Sequence, residues 1–177
     1  MQNWSAKSMH LFLLLIVGIT VWFLYRQPEI GGRIQAVRAN MNTDIDFIFQ
    51  KYGDQFGLDW KLLKAVATQE SGLNPNAVNP RDPSVGLMQI LCRGYPNTGT
   101  CQNKFNIRGW PPETGEQLKD PDYNVYLGAQ ILKWNIDTYG LRKGIAVYNN
   151  WNARDQTEPF SNQNYLERIM KIYEGLL

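Results

Sequence analysis

Two hydrophobic patterns divide this chain. Leu11 to Tyr25 is a continuous apolar run, interrupted only by Gly18 and Thr20 and without a polar face. Beyond residue 42 the apolar positions instead recur every three or four residues, the period of helices that bury one side. Thr43-Asp44-Ile45-Asp46 is a helix-capping signal, and Ile45, Ile48, Phe49 and Tyr52 follow at helical spacing before Gly53 and Gly57. Asp59 can cap a second helix, in which Leu63, Val66, Ala67 and Glu70 fall at i, i+3, i+4 and i+7 and share a face. Gly72 suits its C-terminal cap, and Pro75 prevents it from continuing. Asp120-Pro121 opens a longer helix and Tyr139-Gly140 closes it. Val125, Gly128, Ala129, Leu132 and Ile136 form its stripe, small in the middle, which predicts close packing on a neighbour. Residues 144–151 predict a short helix. Ser161 or Asn162 caps a last one that turns Tyr165, Ile169, Ile172 and Leu176 inward.

The segments between these helices are of three kinds. Pro75, Pro80 and Pro83 make residues 74–84 a loop, long enough to wrap over Glu70. Gly86 to Leu91 is a short apolar segment with one amide, Gln89, at its centre. Residues 92–119 are rich in Gly and Pro, and a loop of that length is usually functional or disordered. Five or six helices without a convincing strand pair predict a mainly α domain.

The length of 177 residues fits one such domain plus an appendage. Residues 1–26 are expected to be an N-terminal transmembrane anchor, 27–42 a linker containing Pro28, Gly31 and Gly32, and 43–177 the folded domain. Trp4, Trp22 and Tyr25 suit the membrane interface. A cleaved signal peptide is the competing reading, but Arg26-Gln27-Pro28-Glu29 follows where a small-x-small site would stand. Residues 1–42 carry net charge +3 and the remainder −1, so a near-neutral domain gives no case for nucleic acid. Arg26, Arg33 and Arg38 flank the anchor on its C-terminal side, a weak bias toward a cytosolic domain.

Glu70 is the one member of its stripe that is not apolar. Partial burial and the negative end of the helix dipole both disfavour its ionised form. A carboxyl kept protonated near neutral pH is what a general acid needs. Taken alone, the segment reads first as an amphipathic helix with a solvated end. The single His, His10, and two Cys cannot make a Cys/His zinc site, and the domain has no His for a Ser-His or Cys-His nucleophile. No metal or cofactor is expected. Cys92 and Cys101 can close a small disulfide loop if the compartment is oxidising.

Five stretches, in order, resemble the motifs of the soluble lytic transglycosylase family. They are Gln69-Glu70-Ser71-Gly72-Leu73-Asn74-Pro75-Asn76-Ala77, Gly86-Leu87-Met88-Gln89-Ile90, Asp122-Tyr123-Asn124-Val125-Tyr126-Leu127-Gly128, Ala146-Val147-Tyr148-Asn149 and Tyr165-Leu166. The resemblance runs over roughly residues 45–175. It implies a goose-type-lysozyme-like helical fold and cleavage of the MurNAc-GlcNAc β-1,4 bond of peptidoglycan to a 1,6-anhydro end. Position by position, it implies that Glu70 is the catalytic acid. Ser71, Met88, Gln89, Tyr148, Asn149 and Tyr165 then fall among the substrate-binding residues. Tyr148 and Asn149 stand near the carboxyl, with Tyr148 orienting it or supporting the acetamido group, and Tyr165 is the tyrosine of the last motif. The chain departs from the family in two places. Asn150-Trp151-Asn152 stand where Ala-Gly is usual, and Asn162 and Gln163 where an acidic residue is usual.

Other readings stay open at this point. Asp82 could hold a water for a lysozyme-type hydrolase, and a wall-binding or assembly protein could keep the fold without catalysis. Gln89 reads either as a core amide satisfied by backbone or as a donor into the cleft. The expected partners are peptidoglycan glycan strands and a membrane, with phage virion or secretion-apparatus proteins as further candidates. The expected site of action is a virion internal membrane or a bacterial inner membrane, with the domain facing peptidoglycan.

Overall fold

The computed structural model describes residues 45–92, 100–101 and 113–177. The expected anchor 1–26, the linker 27–42, the Thr43-Asp44 part of the first cap and the side chain of Cys101 lie outside the described residues. Among the described residues no helix is long and apolar enough to cross a membrane.

Helix α1 covers 45–56, and Ile45, Phe49 and Tyr52 are buried on it, as the spacing predicts. Helix α2, Trp60–Ser71, begins where the Asp59 carboxylate accepts from the Lys61 N–H. It ends at Gly72, which takes the left-handed conformation and donates its N–H to the Thr68 carbonyl. Helix α3, Pro121–Tyr139, starts with the Asp120 carboxylate accepting from the Tyr123 N–H, and Pro121 at its first position. Helix α4, Leu141–Asn149, follows after Gly140 alone. It begins three residues earlier than the sequence pattern predicts, because Gly144 sits inside it, against the α3 backbone at Asn135 and Ile136. Helix α5, Gln163–Glu174, buries Tyr165, Leu166 and Ile169. Asn162 precedes it but does not cap it; its Nδ2 donates to the Ala146 carbonyl and to Asn149 Oδ1, tying α5 to α4. The most extensive helix contacts are α3 with α4 and α2 with α5.

Two small antiparallel pairs correct the expectation of no strands. Strand β1 (Ser84–Val85) pairs with β2 (Ile90–Leu91), in the register Ser84 to Leu91 and Val85 to Ile90. Strand β3 (Thr100–Cys101) pairs with β4 (Glu113–Thr114). Two residues are too few for alternation to register in a sequence.

The β1–β2 hairpin is held to α3 by one side chain. Asn124 is fully buried, and its amide donates to the Val85 and Leu118 carbonyls at 2.9 and 2.8 Å while accepting from the Met88 N–H at 2.7 Å. Gly86 makes room for this amide: φ is +83°, and a Cβ there would stand 2.2 Å from both Asn124 Nδ2 and the Leu118 carbonyl oxygen. Gly128, one turn along α3, receives the Met88 side chain, whose sulfur would lie 2.3 Å from a Cβ at that position. The small residues in the α3 stripe thus serve the hairpin.

Candidate active site

Glu70 comes from the last turn of α2 and is partly buried at the edge of a cleft of about 130 Å³. The loop and hairpin bring Asn79, Asp82, Ser84, Gln89, Ile90 and Leu91 to the same cleft, α3 brings Ile131, and the end of α4 brings Tyr148 and Asn149. Leu63, Val66 and Ala67, which share the Glu70 stripe, are fully buried, so the carboxyl emerges at the wet end of an apolar face. Burial pushes its pKa up to about 7 from the ordinary 4.5. A hydrogen bond from Tyr165 opposes that rise, and the Asp82 charge adds to it.

The direct partner of Glu70 is Tyr165, whose hydroxyl donates to Oε1 at 2.5 Å across 95 residues of sequence. The sequence reading gives Tyr148 the role of orienting Glu70 or of supporting the acetamido group; Tyr148 lines the cleft, and the hydrogen bond to Glu70 comes from Tyr165. The Tyr148 hydroxyl donates instead to the Met88 carbonyl at 2.8 Å, bracing the hairpin turn against α4. Burial, then the nearby Glu70 carboxylate, holds both phenols well above 10, so both remain proton donors across the useful pH range.

Two other expected substrate-binding residues are not among those that line the cleft. Met88 is fully buried against Gly128, and its side chain belongs to the core. The Ser71 hydroxyl donates back to the Ala67 carbonyl one turn earlier, as serines within helices do.

Gln89 combines the two readings left open for it. Its Nε2 donates to the Gly86 and Ala77 carbonyls at 2.9 and 3.3 Å, yet the residue lines the cleft. It holds φ at +48°, a conformation that non-glycine residues adopt at a cost of about 1–3 kcal/mol. The amide nitrogen therefore locks the turn, and the oxygen is the atom left to face a ligand. Asn149, exposed at the end of α4, also lines the cleft, with its Oδ1 accepting from Asn162.

The sequence reading missed Asn124 as the keystone of the hairpin, although it lies within a quoted motif. An amide facing the same neighbour as Gly128 was the available signal. It also missed the Arg168 Nε donation to Gln69 at 3.1 Å, which ties α5 to α2 beside Glu70.

Cys92 is buried and disulfide-bonded, and Cys101 is the other cysteine of the chain. Among the described residues no group of three or more His, Cys, Asp and Glu could hold a metal ion. The chemistry available in the cleft is that of one protonated carboxyl with a phenol beside it, amides, and a second carboxylate at Asp82.

Residues 47–170 match the model of the Transglycosylase SLT domain. The fold is similar to the 70 kDa soluble lytic transglycosylase from Escherichia coli, with a TM-score of 0.56 and 25% identity over 71% of this chain and 23% of that one. It is similar to an inactive mutant of lytic transglycosylase Slt from Pseudomonas aeruginosa, with a TM-score of 0.55 and 23% identity over 71% and 22%. It is also similar to the 70 kDa soluble lytic transglycosylase in complex with bulgecin A, with a TM-score of 0.52 and 26% identity over 71% and 23%. The chain thus spans less than a quarter of the length of each of these structures. A family match that covers most of the chain, over the helices that build the cleft, makes this protein a member of the transglycosylase SLT domain family.

Proposed function

We propose that this domain is a peptidoglycan lytic transglycosylase that cleaves the MurNAc-GlcNAc β-1,4 bond and leaves a 1,6-anhydroMurNAc end. The observation that carries the reading is Glu70, a carboxyl with a pKa of about 7 in the cleft and a phenol hydrogen-bonded to it. In this scheme protonated Glu70 gives its proton to the glycosidic oxygen as the C1–O bond breaks. The acetamido group of the substrate stabilises the cationic C1. Ionised Glu70 then takes the proton of the C6 hydroxyl as O6 bonds to C1, which restores the acid and consumes no water. One carboxyl suffices for both steps, whereas hydrolysis generally needs two.

Tyr165 stabilises the carboxylate formed between the two steps. Tyr165→Phe removes a hydrogen bond to a charged group and is expected to lower kcat roughly 10- to 100-fold. That bond favours the ionised form, so its loss also moves the alkaline limb of the pH–rate profile to higher pH. A profile measured on both proteins checks this. A limb that stays in place would give Tyr165 a purely structural role.

A second reading is a lysozyme-type hydrolase, favoured by the presence of Asp82 in the same cleft. The two readings differ in pH dependence. A single acid gives one descending limb near pH 7, while a required second carboxylate adds an ascending limb on the acid side.

The same reading has residues 1–26 anchor the domain to a membrane, with the domain facing the wall. The activity would open the wall locally for a secretion apparatus or for a phage virion. The disulfide at Cys92 supports an oxidising compartment, against the weak bias of Arg26, Arg33 and Arg38. A topology reporter fused after Leu177 is expected to signal on the periplasmic side. A cytosolic signal in host cells would contradict that placement and favour the virion-membrane version.

A further inference from the structure

Trp134 is 49% exposed on a helix whose other face is buried. It lies one turn beyond Ile131, a cleft residue, and side chains three apart on a helix are neighbours. Its indole stacks on that of Trp151, with centroids 6.0 Å apart and planes 12° from parallel. Trp151 opens the 3₁₀ turn that starts two residues after Asn149, another cleft residue. Tyr139 meets the Trp134 ring at 86°, and the Arg154 guanidinium lies 4.8 Å from the centre of the Trp151 ring.

These contacts fix the planes of the rings while leaving much of one indole in water. An exposed apolar surface held rigid is a feature of binding sites, because a rigid ring loses little entropy when a ligand covers it. Sugar rings carry an apolar face of C–H groups within a rim of hydroxyls, and a flat preoriented aromatic is the surface that covers such a face. The position of the stack selects the occupant: Trp134 and Trp151 follow the cleft residues Ile131 and Asn149 by one helix turn and by two residues, so the ligand of the cleft is the one within reach.

We propose that the Trp134–Trp151 stack is a glycan subsite that continues the cleft and holds a more distant sugar of the bound strand against the Trp134 indole. The proposal rests on the reading of the cleft as a peptidoglycan site. It gives the protein a preference for long strands over the shortest ones, because a disaccharide is held within the cleft, short of the stack.

The test uses the full chain carrying Glu70→Gln, so that ligand is bound and not turned over, with and without Trp134→Ala. The probes are long peptide-free glycan strands and a disaccharide of the same sugars. Trp134→Ala is expected to raise Kd for the long strands about tenfold and to leave the disaccharide unchanged. Trp134→Tyr, which keeps a ring, is expected to retain most of the affinity, and Trp134→Gln repeats the truncation should alanine loosen α3. Unchanged long-strand affinity in a folded variant would overturn the subsite, as would an equal loss for both probes. If the Glu70→Gln chain binds neither probe and the wild type releases nothing from the strands, the cleft reading itself fails, and the subsite with it.

Discussion

Glu70→Gln is expected to lower peptidoglycan turnover by at least about 10³-fold while leaving the domain folded. The glutamine oxygen still accepts from the Tyr165 hydroxyl, so the interaction between α2 and α5 survives the change. What is lost is the only group in the scheme that gives and then recovers a proton. The same substitution has an expected stability signature with an unusual sign. The folded protein holds the Glu70 proton more tightly than the unfolded chain, with pKa values of about 7 and 4.5 respectively. The contribution of Glu70 to stability is therefore greatest below pH 4.5, falls as pH rises through 7, and is then fully lost. The difference amounts to at most about 3 kcal/mol. Glutamine carries no such penalty. The variant should melt above the wild type at pH 8 and close to it at pH 5, a comparison that thermal unfolding at the two pH values makes directly. An inactive variant with the reverse order of melting would separate Glu70 from the buried acid described here.

Asn124→Leu is expected to cost about 4 kcal/mol, enough to leave a domain of ordinary stability barely folded. Leucine keeps the branched outline of asparagine, but it is bulkier and leaves the Val85 and Leu118 carbonyls and the Met88 N–H without partners in a buried place. Gly86→Ala approaches the same junction from the other side. Its methyl group would meet the amide and the Leu118 carbonyl at 2.2 Å with φ at +83°, and several kcal/mol is expected again. Thermal melts should show both variants at least about 10 °C below the wild type. The two changes strike one junction, so the double variant should fall short of the sum of the singles. Additive losses would mean that the hairpin is held by something other than this amide.

The helices were legible because their signals are local. Asp59 and Gly72 bracket α2, Asp120 and Gly140 bracket α3, and the stripes between them are the faces that the structure buries. The position of Glu70 at the end of an apolar face was legible for the same reason. The roles of the tyrosines were not. Tyr148 and Tyr165 both sit in quoted motifs, but only the packing of α5 on α2 decides which hydroxyl reaches the carboxyl. Met88 and Gln89 show a related limit. They are adjacent, yet the left-handed backbone at Gln89 sends one side chain to the core and lets the other line the cleft. Spacing counts residues along the chain, whereas the hairpin turns on two positive φ angles, at Gly86 and Gln89. Ser161 or Asn162 is the cap that the sequence pattern offers for α5, and Asn162 instead reaches back to α4, a competition between local and distant acceptors that a sequence does not rank.

The central claim is that one carboxyl performs both halves of the reaction. Mass spectrometry of purified peptidoglycan digested by the full chain, beside the Glu70→Gln variant, tests it most directly. The account predicts 1,6-anhydro-muropeptides from the wild type and none from the variant. Muropeptides with reducing ends would contradict it, requiring a water and a second carboxylate in the cleft, with Asp82 the first to be replaced.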